Sequence, residues 1–246
     1  MINKYKSVFI SDLHLGSKHC NSDELLYFLS KIKTEKLYLV GDIIDIWRLK
    51  KNWYWPKTHN KIVRKILKLS EKTEVIYITG NHDEVFRSFP AIRVGNIDVK
   101  NRYTHTGVDG KKYLVIHGDF FDSLMRTKTG RSIMHLGDFA YDSIIHINKF
   151  INITRRLLGM NPWSLAKYLK RKAKLAANYI SQFEQEMAHY CKRKGYDGII
   201  CGHIHHAEIT EYDGIAYMND GDWCESCTAL VETQDGQWKI ITTADV

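Results

Sequence analysis

The cysteine content is too low and too scattered for a disulfide framework. The five cysteines are an odd number at irregular spacings: Cys20, Cys191, Cys201, Cys224 and Cys227. Their pattern excludes the small secreted disulfide class and favours a reducing compartment. Cys224 and Cys227 have CxxC spacing, but no second pair completes a zinc site, so we interpret them as reduced structural cysteines.

Long apolar segments are also missing. No segment approaches the roughly 18 consecutive apolar residues that a membrane-spanning helix needs. The N-terminus lacks the apolar region and the small-residue cleavage site of a signal peptide, and runs directly into a strand-like segment. We therefore expect a soluble, cytoplasmic protein, with at most peripheral contact with the inner membrane surface.

One long segment, residues 143–183, contains no Asp or Glu. The number of its lysine and arginine residues equals the formal net charge of the whole chain, +8; they are Lys149, Arg155, Arg156, Lys167, Lys170, Arg171, Lys172 and Lys174. A field of this sign attracts phosphates, nucleotides, nucleic acid or acidic lipid headgroups. A solvated basic face that only improves solubility is the alternative.

The order of patterns predicts an α/β fold in a single domain over residues 1–246. Apolar runs rich in Val, Ile, Leu and Tyr predict buried strands at residues 5–11, 36–40, 74–79, 112–117 and 198–201. Helical apolar stripes lie between the first three of them, at residues 22–33 and 59–70. Residues 123–190 are mostly helical, and we interpret them as a cap inserted into this domain, with an ordinary core helix as the alternative.

Five short blocks of acid, amide and imidazole groups each follow a predicted strand. They are Asp12-Leu13-His14, Gly41-Asp42, Gly80-Asn81-His82-Asp83, His117-Gly118-Asp119 and Gly202-His203-Ile204-His205. Ligand sites of open α/β sheets assemble at the carboxyl ends of strands. Residues two apart on a strand point the same way, so Asp12 can pair with His14, and His203 with His205.

The donors in these blocks are nitrogen and oxygen, without sulfur. Such a set suits hard or borderline divalent ions rather than a structural zinc closed by thiolates. Seven donors are too many for one ion and enough for two, and two ions can clamp a phosphoryl group and generate hydroxide. We expect manganese, with iron, cobalt, zinc or magnesium as alternatives.

In this order the blocks resemble the calcineurin-like metallophosphoesterase family. The resemblance implies a four-layer α/β/β/α sandwich of two mixed sheets. It implies one metal held by Asp12, His14, Asp42 and His205, and a second held by Asp42, Asn81, His117 and His203, with Asp42 as the bridge. It also implies that His82 stabilises the transition state beside the phosphate and that Asp83 orients His82.

Within that family, the chain is most similar to UDP-2,3-diacylglucosamine pyrophosphohydrolases of lipid A synthesis. The similarity lies in residues 40–45, in the aromatic residues 47 and 53–55, in residues 222–227 and in the helical insertion. It implies hydrolysis of a nucleotide-linked glycolipid to UMP and an acylated sugar 1-phosphate. The expected substrate contacts are Asn81, His82, Asp122, Lys167, Arg171, Lys174 and His203.

Other substrates stay open. The best-known members of that branch carry Arg at the position of His82, which leaves another nucleotide-sugar, a dinucleotide or a phosphodiester as alternatives. A nuclease is disfavoured because the positive charge lies on a helix with an apolar stripe, so no stable nucleic-acid partner is expected. Trp47, Trp53, Tyr54 and Trp55 could form a wall for base stacking or for lipid, or pack as an ordinary core or surface group.

Overall fold

The computed structural model of the chain describes residues 3–89, 93–121 and 165–246. Contacts divide the chain into two units, Met1–Ser123 with Gln185–Val246, and Leu124–Glu184. The predicted cap overlaps the second unit, and its function as a cap stays a prediction. Of the expected substrate contacts, Asp122 lies outside the described residues.

Twelve strands and four α-helices make up the described chain. The strands are β1 (Asn3–Ile10), β2 (Ile32–Val40), β3 (Glu74–Ile78), β4 (Arg93–Val94), β5 (Ile97–Lys100), β6 (Tyr103–Thr106), β7 (Lys112–Val115), β8 (Gly198–Cys201), β9 (Glu208–Tyr212), β10 (Ile215–Asn219), β11 (Thr228–Glu232) and β12 (Trp238–Thr242). The helices are α1 (Ser22–Lys31), α2 (Ile46–Lys51), α3 (Lys57–Leu69) and α4 (Leu165–Lys194). All five strands and both helices predicted above are confirmed, with ends that differ by a few residues.

The first sheet has seven strands in the order β12-β11-β1-β2-β3-β5-β4. Its centre is parallel, since β1, β2, β3 and β5 pair in the same direction, while β11 and β12 add antiparallel strands at one side. Parallel strands need crossover connections, and α1 and α3 supply two of them. The carboxyl ends of β1, β2 and β3 therefore reach the same edge of the sheet.

The second sheet has five strands in the order β6-β7-β8-β10-β9. Strands β7, β8 and β10 are parallel, and β6 and β9 pair antiparallel at the two sides. Both sheets are therefore mixed, which confirms the predicted sandwich of two mixed sheets with helices.

Side chains of β1 alternate between two apolar clusters. Val8 and Ile10 pack in a cluster with Leu25 and Phe28 of α1 and with Ile62 of α3. Phe9 points the other way, into a cluster that includes Tyr113 and Val115 of β7 and Ile200 of β8. This period of two explains why β1 reads as a continuous apolar run, because both of its faces are covered. Each fully buried aliphatic or aromatic side chain contributes roughly 1.5–3 kcal/mol.

The longest helix, α4, runs through the basic segment and ends in the first unit. From Gln185 onward it buries Met187, Ala188 and Cys191. Among the helices that the structure describes, none combines the length and the apolar character that crossing a bilayer requires.

Candidate active site

Candidate residues from both sheets meet at the carboxyl ends of the strands. Asp12 follows β1, Asp42 follows β2 and Asn81 follows β3, all in the first sheet, while His117 and His203 follow β7 and β8 of the second. The His203 amide donates a hydrogen bond to Asp12 Oδ2 at 2.9 Å, which connects a loop of one sheet directly to a loop of the other. The predicted assembly of these blocks at the strand ends agrees with this arrangement.

The backbone is strained at the candidate ligands. Within the described chain, seven non-glycine residues have a positive φ, and five of them are predicted metal ligands. These five are Asp12 (52°), His14 (47°), Asp42 (54°), His203 (74°) and His205 (53°). A left-handed residue with a Cβ costs about 1 kcal/mol or more and persists only where its surroundings enforce it. The strain marks this edge as a functional region.

Glycines beside the candidate ligands allow a close approach. A Cβ on Gly41 would overlap the ring of His117, and a Cβ on Gly80 would overlap the carboxylate of Asp42. Gly41 also has a φ of +88°. These contacts give a physical reason for the Gly-Asp and Gly-Asn pairs in the sequence.

The first group of side chains surrounds Asp12. His205 Nε2 lies 3.1 Å from Asp12 Oδ1, and His14 Nε2 lies 3.7 Å from the same oxygen. One ligand atom from each of these three residues falls within 4.8 Å of the others. Burial opposes ionisation of Asp12, but the neighbouring imidazoles of His205, His117 and His14 hold the pKa of the carboxyl well below its usual value. Asp12 is therefore ionised despite being fully buried.

The second group surrounds Asp42. Its Oδ2 lies 3.4 Å from His117 Nε2 and 3.9 Å from the Nε2 atoms of both His14 and His82. Its Oδ1 accepts a hydrogen bond from the His82 amide at 2.8 Å. Asp42 thus stands between the histidines of the two sheets, as a bridging carboxylate would.

Hydrogen bonds set the orientation of the rings. His117 Nδ1 lies 2.8 Å from the carbonyl oxygen of Val40, so this nitrogen carries a proton and Nε2 is directed at Asp42. His14 Nδ1 lies 3.3 Å from Asp45 Oδ2, which leaves its Nε2 directed at Asp12 and Asp42. A partner on one ring nitrogen that frees the other is the usual arrangement of metal-ligating histidines.

Several buried polar atoms in the group lack a hydrogen bond. They are Asp12 Oδ1, Asn81 Oδ1 and His117 Nε2. Unpaired buried polar atoms are rare in folded proteins, and each costs about 1–3 kcal/mol. Buried imidazole, carboxylate and amide atoms without a hydrogen bond fit divalent cations, which would supply the missing partners. The residues present therefore fit the two ions that the sequence predicts.

The electrostatics agree with that fit. Burial alone would lower the pKa of His117, yet Asp42 and Asp12 raise it well above its usual value. Burial likewise opposes protonation of His14, while Asp12, Asp45 and Asp42 raise its pKa to about 10. The carboxylates therefore create a field that attracts positive charge, either as protons or as metal ions.

Asn81 and His203 are placed by different evidence. The amide oxygen of Asn81 is buried, and the His203 ring lies 5.1 Å from the ring of His117 at 70°. His203 is 8% exposed, so its ring is screened from solvent beside His117. The assignment of both residues as ligands of the second metal stays a proposal.

The predicted partner of His82 is wrong. Asp83 accepts hydrogen bonds from the amides of Gly80 and Ile43 and from the hydroxyl of Tyr77, at 2.6, 2.8 and 2.5 Å. Asp83 is fully buried, and its carboxylate supports the loop by accepting from two backbone amides. The residue that orients His82 is Asp45, whose Oδ1 lies 2.9 Å from His82 Nδ1.

His82 is held on two sides and open on a third. The indole of Trp47 lies against its ring at 4.4 Å between centroids, and Asp45 holds Nδ1. The His82 side chain is 24% exposed, more than those of His14 and His117. It is therefore available to a phosphate that enters the site.

Two supporting residues were missed by the sequence reasoning. Asp45 contacts both His14 and His82, and its only sequence signal is its position three residues after Asp42, just before α2. Ser11 contacts Asp12 Oδ2 and Asp220 Oδ1, each at 2.6 Å.

A serine hydroxyl has one proton, so one of the two Ser11 contacts must use a proton from a carboxyl group. Burial raises the pKa of Asp220 well above its usual value. Asp220 is therefore the protonated member, which leaves the Ser11 proton for Asp12. No motif could reveal this pair, because Asp220 lies in a different part of the sequence.

Three of the predicted substrate contacts lie in the basic segment. Lys174 is exposed, and the side chains of Lys167 and Arg171 lie outside the described part of α4. Their roles stay predictions.

Comparison with known proteins identifies the family. Residues 5–207 match the model of the calcineurin-like phosphoesterases. The chain therefore belongs to the calcineurin-like phosphoesterase family, and it is a metal-dependent hydrolase.

Named relatives point to one branch of the family. A UDP-2,3-diacylglucosamine hydrolase of Neisseria gonorrhoeae is 27% identical over 241 residues, which cover 88% of this chain and 89% of the relative. A protein of the same name from Histophilus somni is 32% identical over 122 residues, 46% of this chain and 49% of the relative. Among solved structures, a hypothetical protein of Pyrococcus horikoshii matches with a TM-score of 0.50 at 9% identity, covering 98% of this chain and 88% of that one. The last match supports the fold only.

Proposed function

We propose that this hydrolase uses two divalent ions to cleave the pyrophosphate bond of UDP-2,3-diacylglucosamine, releasing UMP and 2,3-diacylglucosamine 1-phosphate. The observation that carries the two-ion site is the position of Asp42, whose Oδ2 faces His117, His14 and His82 at 3.4–3.9 Å. The choice of substrate is supported by the names of relatives that align over most of the chain.

The ligand assignment follows the two groups of side chains. Asp12, His14 and His205 would hold one ion, Asn81, His117 and His203 the other, and Asp42 would bridge them. Two ions bound here would polarise the phosphoryl oxygens and lower the pKa of a bound water. The oxygen and nitrogen donors suit manganese, which is the ion we propose, with iron, cobalt, zinc or magnesium as alternatives.

His82 would act on the phosphate from the open side of the site. Asp45 fixes its Nδ1, so a protonated ring directs the N–H of Nε2 away from Asp45. That proton can form a hydrogen bond with a phosphoryl oxygen as negative charge accumulates there. Asp45 positions the ring, and Trp47 restricts its rotation.

Product analysis tests the substrate and the bond cleaved. The protein is incubated with UDP-2,3-diacylglucosamine and manganese in ¹⁸O-labelled water, and products are identified by mass spectrometry. Attack of water oxygen on the α-phosphorus, with the β-phosphate leaving on the sugar, places the label in UMP. Chelation should stop the reaction, and added manganese should restore it.

Other outcomes separate the alternatives. Label in the sugar phosphate would mean attack at the β-phosphorus. Faster turnover of a dinucleotide, of UDP-N-acetylglucosamine or of single-stranded DNA would replace the proposed substrate while keeping the site.

The basic segment supplies a separate test of the acylated, anionic substrate. Removing charge at Arg171 and Lys174 should raise KM far more than it lowers kcat if these residues bind substrate. Lys68→Gln, a change on α3, serves as the control. An unchanged KM would assign the segment to solvent and leave the metal site unaffected. A substrate with acyl chains would also bring the protein to the inner membrane surface, which stays a proposal.

A further inference from the structure

We infer that a cleft next to the proposed metal site is a subsite for the nucleoside part of the substrate. In it, an aromatic base stacks on Trp53 and Tyr54, and Lys18, Arg48 and Lys51 supply positive charge for the phosphate. The choice of uridine rests on the proposed function, while the class of ligand, a nucleoside phosphate, follows from the cleft itself.

The cleft is concave and has the size of a small-molecule site. Its volume is about 460 Å³, and it is lined by Gly16, Ser17, Lys18, Arg48, Lys51, Asn52, Trp53 and Tyr54. Sites for small molecules commonly span roughly 300–1,000 Å³. A uridine monophosphate is within that class of ligand.

The charge of the cleft is positive and largely uncompensated. Residues 46–70 include no Asp or Glu. Among the described residues, no carboxylate forms an ion pair with Lys18 or Lys51, and Arg48 has only a partner at 3.5 Å in Asp45. Three cations at one concave surface favour an anionic ligand.

One exposed ring and one half-buried ring provide the stacking surface. Trp53 is 78% exposed, and Lys18 Nζ lies 5.8 Å from the centre of the Tyr54 ring. An indole this exposed does not gain the free energy that burial would give it. A flat ligand that covers one face of the ring would explain its exposure.

The floor of the cleft is fixed by buried contacts. Gly16 has a φ of +106°, and its amide donates to His59 Nδ1 at 3.1 Å. His59 in turn packs edge-on against Tyr54 and Trp55. A Cβ at Gly16 would collide with Leu49, so the backbone and α2 are in close contact. The cleft is therefore preorganised.

A short chain of contacts connects the cleft with the reaction centre. Arg48 Nε is 3.5 Å from Asp45 Oδ2, and Asp45 contacts both His14 and His82. Gly16 follows His14 by two residues. A nucleoside phosphate whose base lies on Trp53 can therefore place its phosphate between the cations of the cleft and the proposed metals.

An anionic bilayer surface is the competing partner, because exposed tryptophans and lysines also occur at membrane interfaces. The observations favour the nucleotide, since the cations line a concave cleft beside His14 rather than a protruding apolar face.

Calorimetry with the manganese-loaded protein tests the inference. UMP is the first probe, and inorganic phosphate, which lacks the base, is the second. Trp53→Ala and Lys51→Gln should each weaken UMP binding on the order of tenfold. Trp53→Ala should leave phosphate binding within about twofold. The matched controls are Tyr27→Ala and Lys31→Gln, an exposed aromatic residue and a lysine 5.2 Å from its ring, and they should change neither affinity.

The results separate this inference from the proposed function. Failure to turn over UDP-2,3-diacylglucosamine, with UMP binding that depends on Trp53, would overturn only the substrate. Absence of UMP binding would overturn the subsite. So would a UMP affinity that is equal in the wild type and in both cleft variants. Loss of binding to phosphatidylglycerol vesicles in Trp53→Ala with unchanged UMP affinity would also overturn it, in favour of a membrane contact.

Discussion

Two buried polar clusters in the same unit differ in one respect, which is whether their lone pairs have partners. The first is the candidate metal site around Asp42. The second, here called the Glu232 cluster, consists of Tyr38, His105, Glu232 and the backbone amide of Val108. Asp42, His105 and Glu232 are all buried.

The Glu232 cluster is complete. His105 Nδ1 meets the Tyr38 hydroxyl at 3.0 Å, and its Nε2 meets Glu232 Oε2 at 3.0 Å. The other carboxylate oxygen of Glu232 accepts from the Val108 amide at 2.7 Å. None of these four residues has a positive φ. A satisfied network of this type holds the core together without binding anything.

The candidate metal site is incomplete and strained. Its imidazoles and carboxylates face one another with orphaned atoms, and five of its residues have left-handed backbone. Comparable donors thus form a structural network in one place and an open coordination site in the other. Residue type and burial do not distinguish the two clusters. They differ in how many lone pairs per side chain have no hydrogen-bond partner.

Asp42→Ala gives the sharpest contrast and the largest effect. Removing the proposed bridge should reduce turnover to background and lower the bound metal, because the carboxylate neutralises and connects both ions. Activity assays and elemental analysis of the purified variant measure the two effects. Glu232→Gln should keep both near wild type. Near-normal kcat in Asp42→Ala would refute the bridging role.

Glu232→Ala should show the reverse behaviour. It removes one partner of a buried pair and should cost about 3–5 kcal/mol of unfolding free energy. Urea denaturation measures the loss, and Glu232→Gln should lose less because an amide still accepts a hydrogen bond. The folded fraction should retain its metal and its kcat. A drop in kcat without a drop in stability would show that this cluster is not merely structural.

Asp45→Asn should produce an intermediate effect on the reaction. Since Asp45 orients His14 and His82 without being a proposed ligand, kcat should fall about 10- to 100-fold with metal retained. In a His82→Ala background the same change should cost much less, because the ring that it positions is gone. Asp98→Asn, at an exposed ion pair, is the control. Full additivity of the two changes would exclude a role of Asp45 in positioning His82.

The strand-end motifs predicted much of this site because two local rules act together. An apolar run fixes a buried strand, and the residue after its carboxyl end must lie at one edge of the sheet. Asp12, Asp42, Asn81, His117 and His203 are all placed in that way. The Gly before Asp42 and before Asn81 also follows from close approach, which the sequence displays directly.

The partners of these residues could not be predicted, because they depend on contacts between distant segments. The assignment of Asp83 to His82 came from the resemblance to the family, while in the structure Asp83 accepts from backbone amides and Asp45 contacts the ring. The Glu232 cluster carries no motif, since His105 and Glu232 are 127 positions apart. Which polar atoms remain without a hydrogen-bond partner depends on how these distant segments pack.

The pH dependence of the unfolding free energy should show the smallest effect, but it tests the charge of Glu232 selectively. Burial would raise the pKa of Glu232, yet the hydrogen bonds from His105 and the Val108 amide lower it below its usual 4.5. A carboxyl whose pKa is depressed by folding stabilises the protein above its unfolded pKa, and loses that contribution as the pH falls through its folded pKa.

The difference in unfolding free energy between wild type and Glu232→Gln should thus be constant above about pH 5 and shrink at more acidic pH. Carboxyls common to both proteins cancel in that difference, so metal-free samples measured by urea denaturation at several pH values isolate Glu232. A difference that stays constant through the acidic range would mean that the ionised carboxylate contributes nothing beyond its shape, and that the Glu232 cluster is not held by charge.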